Sequence, residues 1–366
     1  LTGTMTSVIQ SILDKEYQER SDIIELLRCS EEESLLLYRK AAEVKERYLG
    51  NMVYLRGLIE YSNVCGKNCL YCGIRRDNRG VEHYTLTREE VIEAAMTAYR
   101  LNFGSIAIQS GENTSETFVS NIEELIVTIR NMTKGRLGIT LSLGEQKRET
   151  YKRWFDAGAH RYLLRIEASS PDLYRKAHPD DGMHNYYNRL ECLQIIKETG
   201  YQTGTGVMIG LPCQTLTHLA DDILFMRDFD IDMCGMGPFI EHSDTPLGKN
   251  GTENLFLKER FSLTLRMIAI ARIVMKDINI VASTAMQTID KFGREKAIAC
   301  GANVIMPNLT PERYRSGYRI YEGKPVYREV EEVNVSGLNM DLIPGTSIGL
   351  GIWGDTPHFN KRIAKS

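Results

Sequence analysis

Residues 61–78 read YSNVCGKNCLYCGIRRDN and set Cys65, Cys69 and Cys72 in a C-x3-C-x2-C spacing. Three thiolates so spaced hold three irons of a [4Fe–4S] cluster and leave the fourth iron open to a small molecule. Structural zinc takes four ligands, often as two cysteine pairs or a Cys/His set. The chain has no second C-x-x-C, and no histidine lies between Asn63 and Glu82. A disulfide framework is not expected, since the other cysteines form no paired pattern and no leader is legible. One cluster and no second metal site is the expectation.

The apolar run Val53–Tyr61 leads straight into this stretch and reads as a strand. Strands of the same kind are expected at Ser105–Gln109, Leu137–Ser142, Arg161–Ile166, Gln202–Met208, Met233–Met236, Asn279–Ala282 and Asn303–Met306. Helical segments alternate with them. Thr87-Arg88-Glu89-Glu90 opens one as a capping box, and another runs from about Asn254 to Met275. Eight strands alternating with helices predict an α/β chain with a (β/α)8 TIM-type barrel over 51–310, with a doubly wound open sheet as the alternative. Chemistry then belongs at the C-terminal strand ends, where the cysteines fall. Residues 1–50 read as an N-terminal helical cap. Residues 311–366 read as a segment that closes the cavity and a mobile or packing tail; the glycines in IPGTSIGLGIWGD precede no helix and make no phosphate loop.

The bulk numbers agree with a soluble enzyme. The 366 residues carry a formal charge of −3, with 25% charged and 42% apolar residues. No basic stripe points to nucleic acid, and no apolar run approaches the roughly 20 residues of a membrane span. Cys29, Cys192, Cys213, Cys234 and Cys300 are scattered and read as small buried hydrophobes. Reduced thiols and an oxygen-sensitive cluster predict the cytoplasm of an anaerobic or microaerobic cell. The residues ahead of Met5 read as preceding a native start.

The cysteine spacing resembles that of radical S-adenosylmethionine (SAM) enzymes. Residues from about 50 to 325 resemble, more narrowly, the HydE family of [FeFe]-hydrogenase maturases. The stretches that carry the likeness are NVCGKNCLYCGIRRDN (63–78), QSGE (109–112), LSLGE (141–145), RYLLRIEAS (161–169), GPFIEHSDTPL (237–247) and GANVIMPN (301–308). Methylornithine synthase and biotin synthase are more distant relatives sharing the barrel and the triplet.

The resemblance implies roles. Tyr71 lies near the SAM adenine, and Gln109, Ser110, Gly111 and Glu112 serve its amino group. Arg189 holds its carboxylate and Glu167 its ribose. Arg165 faces a substrate anion, to which Ser283 and Thr284 donate hydroxyls; the family has Thr where this chain has Ser283. Met233 and Met306 flank the cavity, and Tyr318 and Tyr321 close it. On the residues alone, Arg165 and Glu167 sit two apart on a strand and point the same way, which fits either ligand contact or a mutual ion pair. His160, His242 and His358 have no partner spacing and receive no role. Many family members carry three further cysteines for a second cluster; here that region reads GKPVYREVEEVNVSG, so none is expected.

The activity implied is reductive cleavage of SAM to a 5′-deoxyadenosyl radical acting on a sulfur-containing or iron-bound small-molecule substrate in diiron-cofactor assembly. Implied partners are an electron donor such as ferredoxin or flavodoxin and other hydrogenase maturases. Three other readings are a carbon-skeleton mutase like methylornithine synthase, a diverged HydE-like enzyme of other substrate, and a cluster carrier that cleaves no SAM.

Overall fold

The computed structural model describes residues 2–249, 255–326 and 336–364. Three helices come first: α1 (Thr2–Leu13), α2 (Arg20–Arg28) and α3 (Glu31–Leu49). Ser30 starts α3 by accepting from the Glu33 amide while the Glu33 carboxylate accepts from its own, at 2.8 Å. The helix buries Leu37 and Ala41 and lies along the Leu257–Met275 helix. That helix was expected from about Asn254, which lies outside the described residues.

All eight expected strands are present, most of them shorter: β1 (Met52–Ser62), β2 (Ser105–Ser110), β3 (Gly138–Ser142), β4 (Arg161–Leu163), β5 (Gln202–Thr205), β6 (Met233–Cys234), β7 (Asn279–Ile280) and β8 (Val304–Ile305). They pair in parallel in the order β8-β1-β2-β3-β4-β5-β6-β7. Helices such as Arg88–Arg100, which buries Val91, Ala94, Ala95 and Ala98, cover the outer face.

The sheet is strongly curved. Arg56 on β1 donates to the sulfur of Met233 on β6 at 3.0 Å. Five strand spacings laid flat would separate them by about 24 Å, so both side chains must point to a shared concave side. The ladder remains an open path rather than the expected continuous ring. β7 and β8 are two residues each, and they meet through one isolated bridge, Val281 to Val304. Asn303 N–H donates to the Ile280 carbonyl (2.9 Å) and Ala282 N–H to that of Val304 (2.8 Å). The expected strand through Met208 is also broken. A side chain on Gly206 would lie 1.9 Å from the Gly235 carbonyl oxygen, and Met208–Ile209 pairs separately with Gly237–Pro238.

The glycine-rich C-terminal stretch forms a floor. Ser347–Gly349 adds to the start of β1 as β9. The chain then crosses beneath the N-terminal strand ends. Arg161 of β4 donates to the Trp353 carbonyl (2.6 Å) and pairs with Asp355. Gln202 of β5 donates to Asp355 (2.6 Å), and Asn279 of β7 to the Gly354 carbonyl (2.7 Å). Gly104 admits this passage, because a Cβ there would collide with the Ile352 carbonyl oxygen at 1.5 Å. The described residues 347–364 of the tail pack against the sheet in this way. His358, given no role from sequence, anchors it between Asp230 (2.7 Å) and Asp277 (3.1 Å). Among the described residues no helix is long and apolar enough to cross a membrane.

Candidate active site

The loop from Asn63 to Thr85 leaves β1 at its C-terminal end and carries the three cysteines. Asn63 holds both ends, donating to the carbonyls of Glu82 and Gly317 at 2.8 Å each. Gly111, just beyond β2, lets the loop approach: a Cβ there would sit 2.3 Å from the Val64 carbonyl oxygen and 2.8 Å from Cys65 Cβ. The close approach brings the Glu112 N–H to Cys65 Sγ at 3.3 Å. Backbone amides also reach Cys65 from Lys67 and Cys72 from Ile74.

Burial raises all three thiols, Cys69 to about 12. Three thiolates in this setting therefore need a cationic partner, and aimed amides are the donors that support a cluster's sulfurs. Among the described residues, no three Cys, His, Asp or Glu side chains converge on one point as the ligands of a single ion do. The C-x3-C-x2-C spacing is that of three cluster ligands rather than of a four-ligand zinc site.

A chain of buried charges runs from this loop along the strand ends. Lys67 pairs with Glu112 (3.3 Å) and Glu145 (3.0 Å). Glu145 pairs with Arg189 (2.7 Å), which donates its Nη1 to the Arg165 carbonyl (3.0 Å). Arg165 in turn pairs with Glu167 (3.0 Å) and donates to the Val207 carbonyl (2.9 Å). The mutual Arg165–Glu167 pair foreseen as one alternative is therefore real. Its geometry still leaves Glu167 Oε2 a buried acceptor without a hydrogen bond. Burial raises the Glu167 carboxyl, against the pull of Arg165 and Arg189. Its backbone sits at φ +66°, a left-handed conformation that a non-glycine residue adopts at some cost and that is common at functional sites.

Tyr71 meets His178 edge-on, its hydroxyl 3.3 Å from Nε2. Gln109 donates to the Tyr318 hydroxyl (3.3 Å), which joins the strand end to the segment beyond β8. Tyr318 is 1% exposed beneath the Lys324 ammonium, 5.1 Å from its ring centre. Ser283 Oγ is buried without a hydrogen bond, next to Gly237. Thr284 opens the Thr284–Ile289 helix beside it. Met306 and Tyr321 are half-buried. Ser110 lies at the end of β2, and its hydroxyl donates to the carbonyls of Ser62 (3.2 Å) and Gly111 (2.8 Å).

Four charged residues were missed. Lys67 and Glu145 lie inside quoted motifs but carried no role. Arg56 and Glu60 lie on β1, and Glu60 is paired with Lys324. An arginine and a glutamate four apart in YLRGLIEY share one face of a strand, so the sequence held that signal.

Residues 59–226 match the family model described as the Radical SAM superfamily. Over 288 residues, 79% of each chain, the protein is 48% identical to the [FeFe] hydrogenase maturase subunit HydE of Thermotoga maritima. The chain belongs to the HydE family of radical SAM enzymes. It is also 28% identical to the 3-methylornithine synthase of Methanosarcina acetivorans, over 83% of this chain and 81% of that one. The structure of the maturase HydG from Carboxydothermus hydrogenoformans superposes with a TM-score of 0.72 at 21% identity, over 84% of this chain and 71% of that one. This last likeness speaks to the fold. HydE-family membership implies a [4Fe–4S] cluster and SAM, and the thiol nest and the buried Glu167 carboxylate fit them.

Proposed function

We propose that this HydE-family enzyme cleaves SAM reductively in hydrogenase maturation, acting on a sulfur-containing or iron-bound small molecule. The observation that carries the reading is the three-cysteine nest at the β1 end, continuous with the buried row Glu112, Glu145, Arg189, Arg165 and Glu167. The cluster and SAM, when bound, supply the electron and the 5′-deoxyadenosyl radical. The chain's own residues bind, orient and exclude water.

In this reading Cys65, Cys69 and Cys72 hold the cluster and Arg189 takes the SAM carboxylate. Its Nε and Nη1 are already occupied, which leaves Nη2 for the ligand. Glu167 accepts from ribose hydroxyls through Oε2, which Arg165 faces at 3.0 Å without hydrogen-bond geometry. Tyr71, Gln109 and Glu112 line the same end, while Met233, paired with Asn279 and held by Arg56, lies toward the floor. Ser110 and Gly111 serve indirectly, by bringing the two chains together. Arg165, Ser283, Thr284 and Met306 face the substrate, and Tyr318 and Tyr321 cover it. The sheet's meeting ends at Val281–Val304 act as a closed barrel, which suits a radical that attacks indiscriminately. A ferredoxin or flavodoxin supplies electrons, other maturases are partners, and the setting is an anaerobic cytoplasm.

The test is anaerobic reconstitution with iron and sulfide, then reduction with SAM and assay for 5′-deoxyadenosine. One cluster per chain with cleavage supports the reading, and Cys69→Ala should abolish both. Cleavage retained in Cys69→Ala would refute it. A mutase reading is less favoured, given 28% identity to the methylornithine synthase against 48% to the HydE protein.

A further inference from the structure

Glu145 is 12% exposed and stands between two cations, each on a different oxygen. Lys67 lies 3.0 Å from Oε2 and Arg189 2.7 Å from Oε1. Lys67 sits midway between Cys65 and Cys69, and its three N–H groups have three acceptors: Glu112, Glu145 and the Met183 carbonyl. The ammonium therefore fixes that part of the loop against β2 and β3. Glu145 is itself held, since its N–H donates to Glu112 Oε2 at 2.8 Å. Gly144, at φ +75°, permits the approach: a Cβ there would meet Glu112 Oε2 at 2.4 Å.

On the other side, the Arg189 guanidinium is restrained by Glu145 at Nε, by the Arg165 carbonyl at Nη1, and by the Tyr174 ring 6.0 Å from its carbon. A planar fork restrained on those sides can present only one direction to a ligand. Lys67, Arg189 and Arg165 balance Glu112, Glu145 and Glu167, so the row is neutral as built.

We infer that Glu145 and Lys67 are positioning residues for SAM, which tie the placement of the cluster loop to the aim of the Arg189 fork. The inference rests on the reading of Arg189 as the holder of the SAM carboxylate. A glutamine at 145 would not substitute, because its amide offers one acceptor where two cations each need one. Either Lys67 or Arg189 would then face an N–H.

The test compares the binding of SAM and of decarboxylated SAM to the oxidised, reconstituted enzyme by equilibrium dialysis, where no cleavage occurs. Glu145→Gln should weaken SAM about tenfold, the size seen when a supporting partner of a ligating group is removed. It should leave decarboxylated SAM and iron content unchanged. Lys67→Met should weaken SAM similarly and also alter the EPR line shape of the reduced, SAM-bound cluster. If Glu145→Gln does not fold, Glu145→Asp, too short to reach both cations, carries the same expectation. Equal losses for both ligands would mean a general structural role and overturn the inference, as would unchanged SAM affinity. A wild-type enzyme that binds no SAM would remove the functional reading and the inference together. Wild-type binding with unmoved variants would remove the inference alone.

Discussion

Asp355, far along the chain, is the counter-ion of Arg161 on β4, whose side chain is fully buried. The floor beneath the strands therefore depends on one carboxylate from outside the sheet. Deleting a partner leaves an uncompensated buried charge, which costs more than the pair contributes. Asp355→Ala should lower unfolding free energy by about 3 kcal/mol, and Asp355→Asn, which keeps an acceptor, by less. Urea titration monitored by tryptophan fluorescence checks this; equal midpoints for both variants would contradict it.

The same floor should respond to pH. Asp277, then Asp230, raises the His358 imidazole above its usual value, against burial. A raised folded value means that the bond's contribution is complete below the unfolded pKa of about 6.5 and is lost as pH climbs through the folded one. Asp277 works in the opposite direction. Burial opposes its ionisation, but His358 and Lys361 hold it at about 2, so its contribution fades only as pH falls toward that value. Hydrogen exchange over residues 347–364 should be slower near pH 6 than near pH 9 after correction for intrinsic rates. His358→Gln should erase the difference; a variant that keeps it would point to another group.

Lys324 and Glu60 form a pair in which both side chains are 5% exposed or less. It couples the segment beyond β8 to the inside of β1, and Asn308 adds a 3.1 Å bond to the same carboxylate. Lys324→Met alone should destabilise the protein by roughly 3–5 kcal/mol, while adding Glu60→Gln should recover much of that. A thermal-melt double-mutant cycle reads the coupling. Strict additivity would show that the two charges are energetically independent.

Gly111→Ala should prevent cluster assembly without unfolding the chain. The added methyl would collide first with the Val64 carbonyl and Cys65, so the loop must move and the Glu112 amide leaves Cys65. Iron per chain should fall well below that of wild type at an unchanged far-UV spectrum. Full iron loading would show that the loop yields more readily than its contacts suggest.

Much of the fold was legible because β1 to β8 are short apolar runs set off by glycine or asparagine. The place of the cysteine loop at a C-terminal strand end was legible because the loop follows the β1 run directly in sequence. What escaped were long-range pairings. Nothing local in WGDTPH announces that Asp355 will meet Arg161, since their 194-residue separation is bridged only by folding. The continuous ladder failed for a local reason: β7 and β8 each contribute two paired residues, too few to sustain one. The Ser110 hydroxyl bonds to the Ser62 and Gly111 carbonyls were not legible, because sequence cannot tell which carbonyl lies nearer.

The floor laid by residues 347–364 also bears on biosynthesis. A ribosome adds about 5–20 residues per second, and the N-terminal part folds first. All eight strands and the cysteine loop are thus translated before the segment beneath them. Until that segment emerges, Arg161, Gln202 and Asn279 have none of the partners it supplies, so the lower strand ends stay open to water after the cysteine loop has been made.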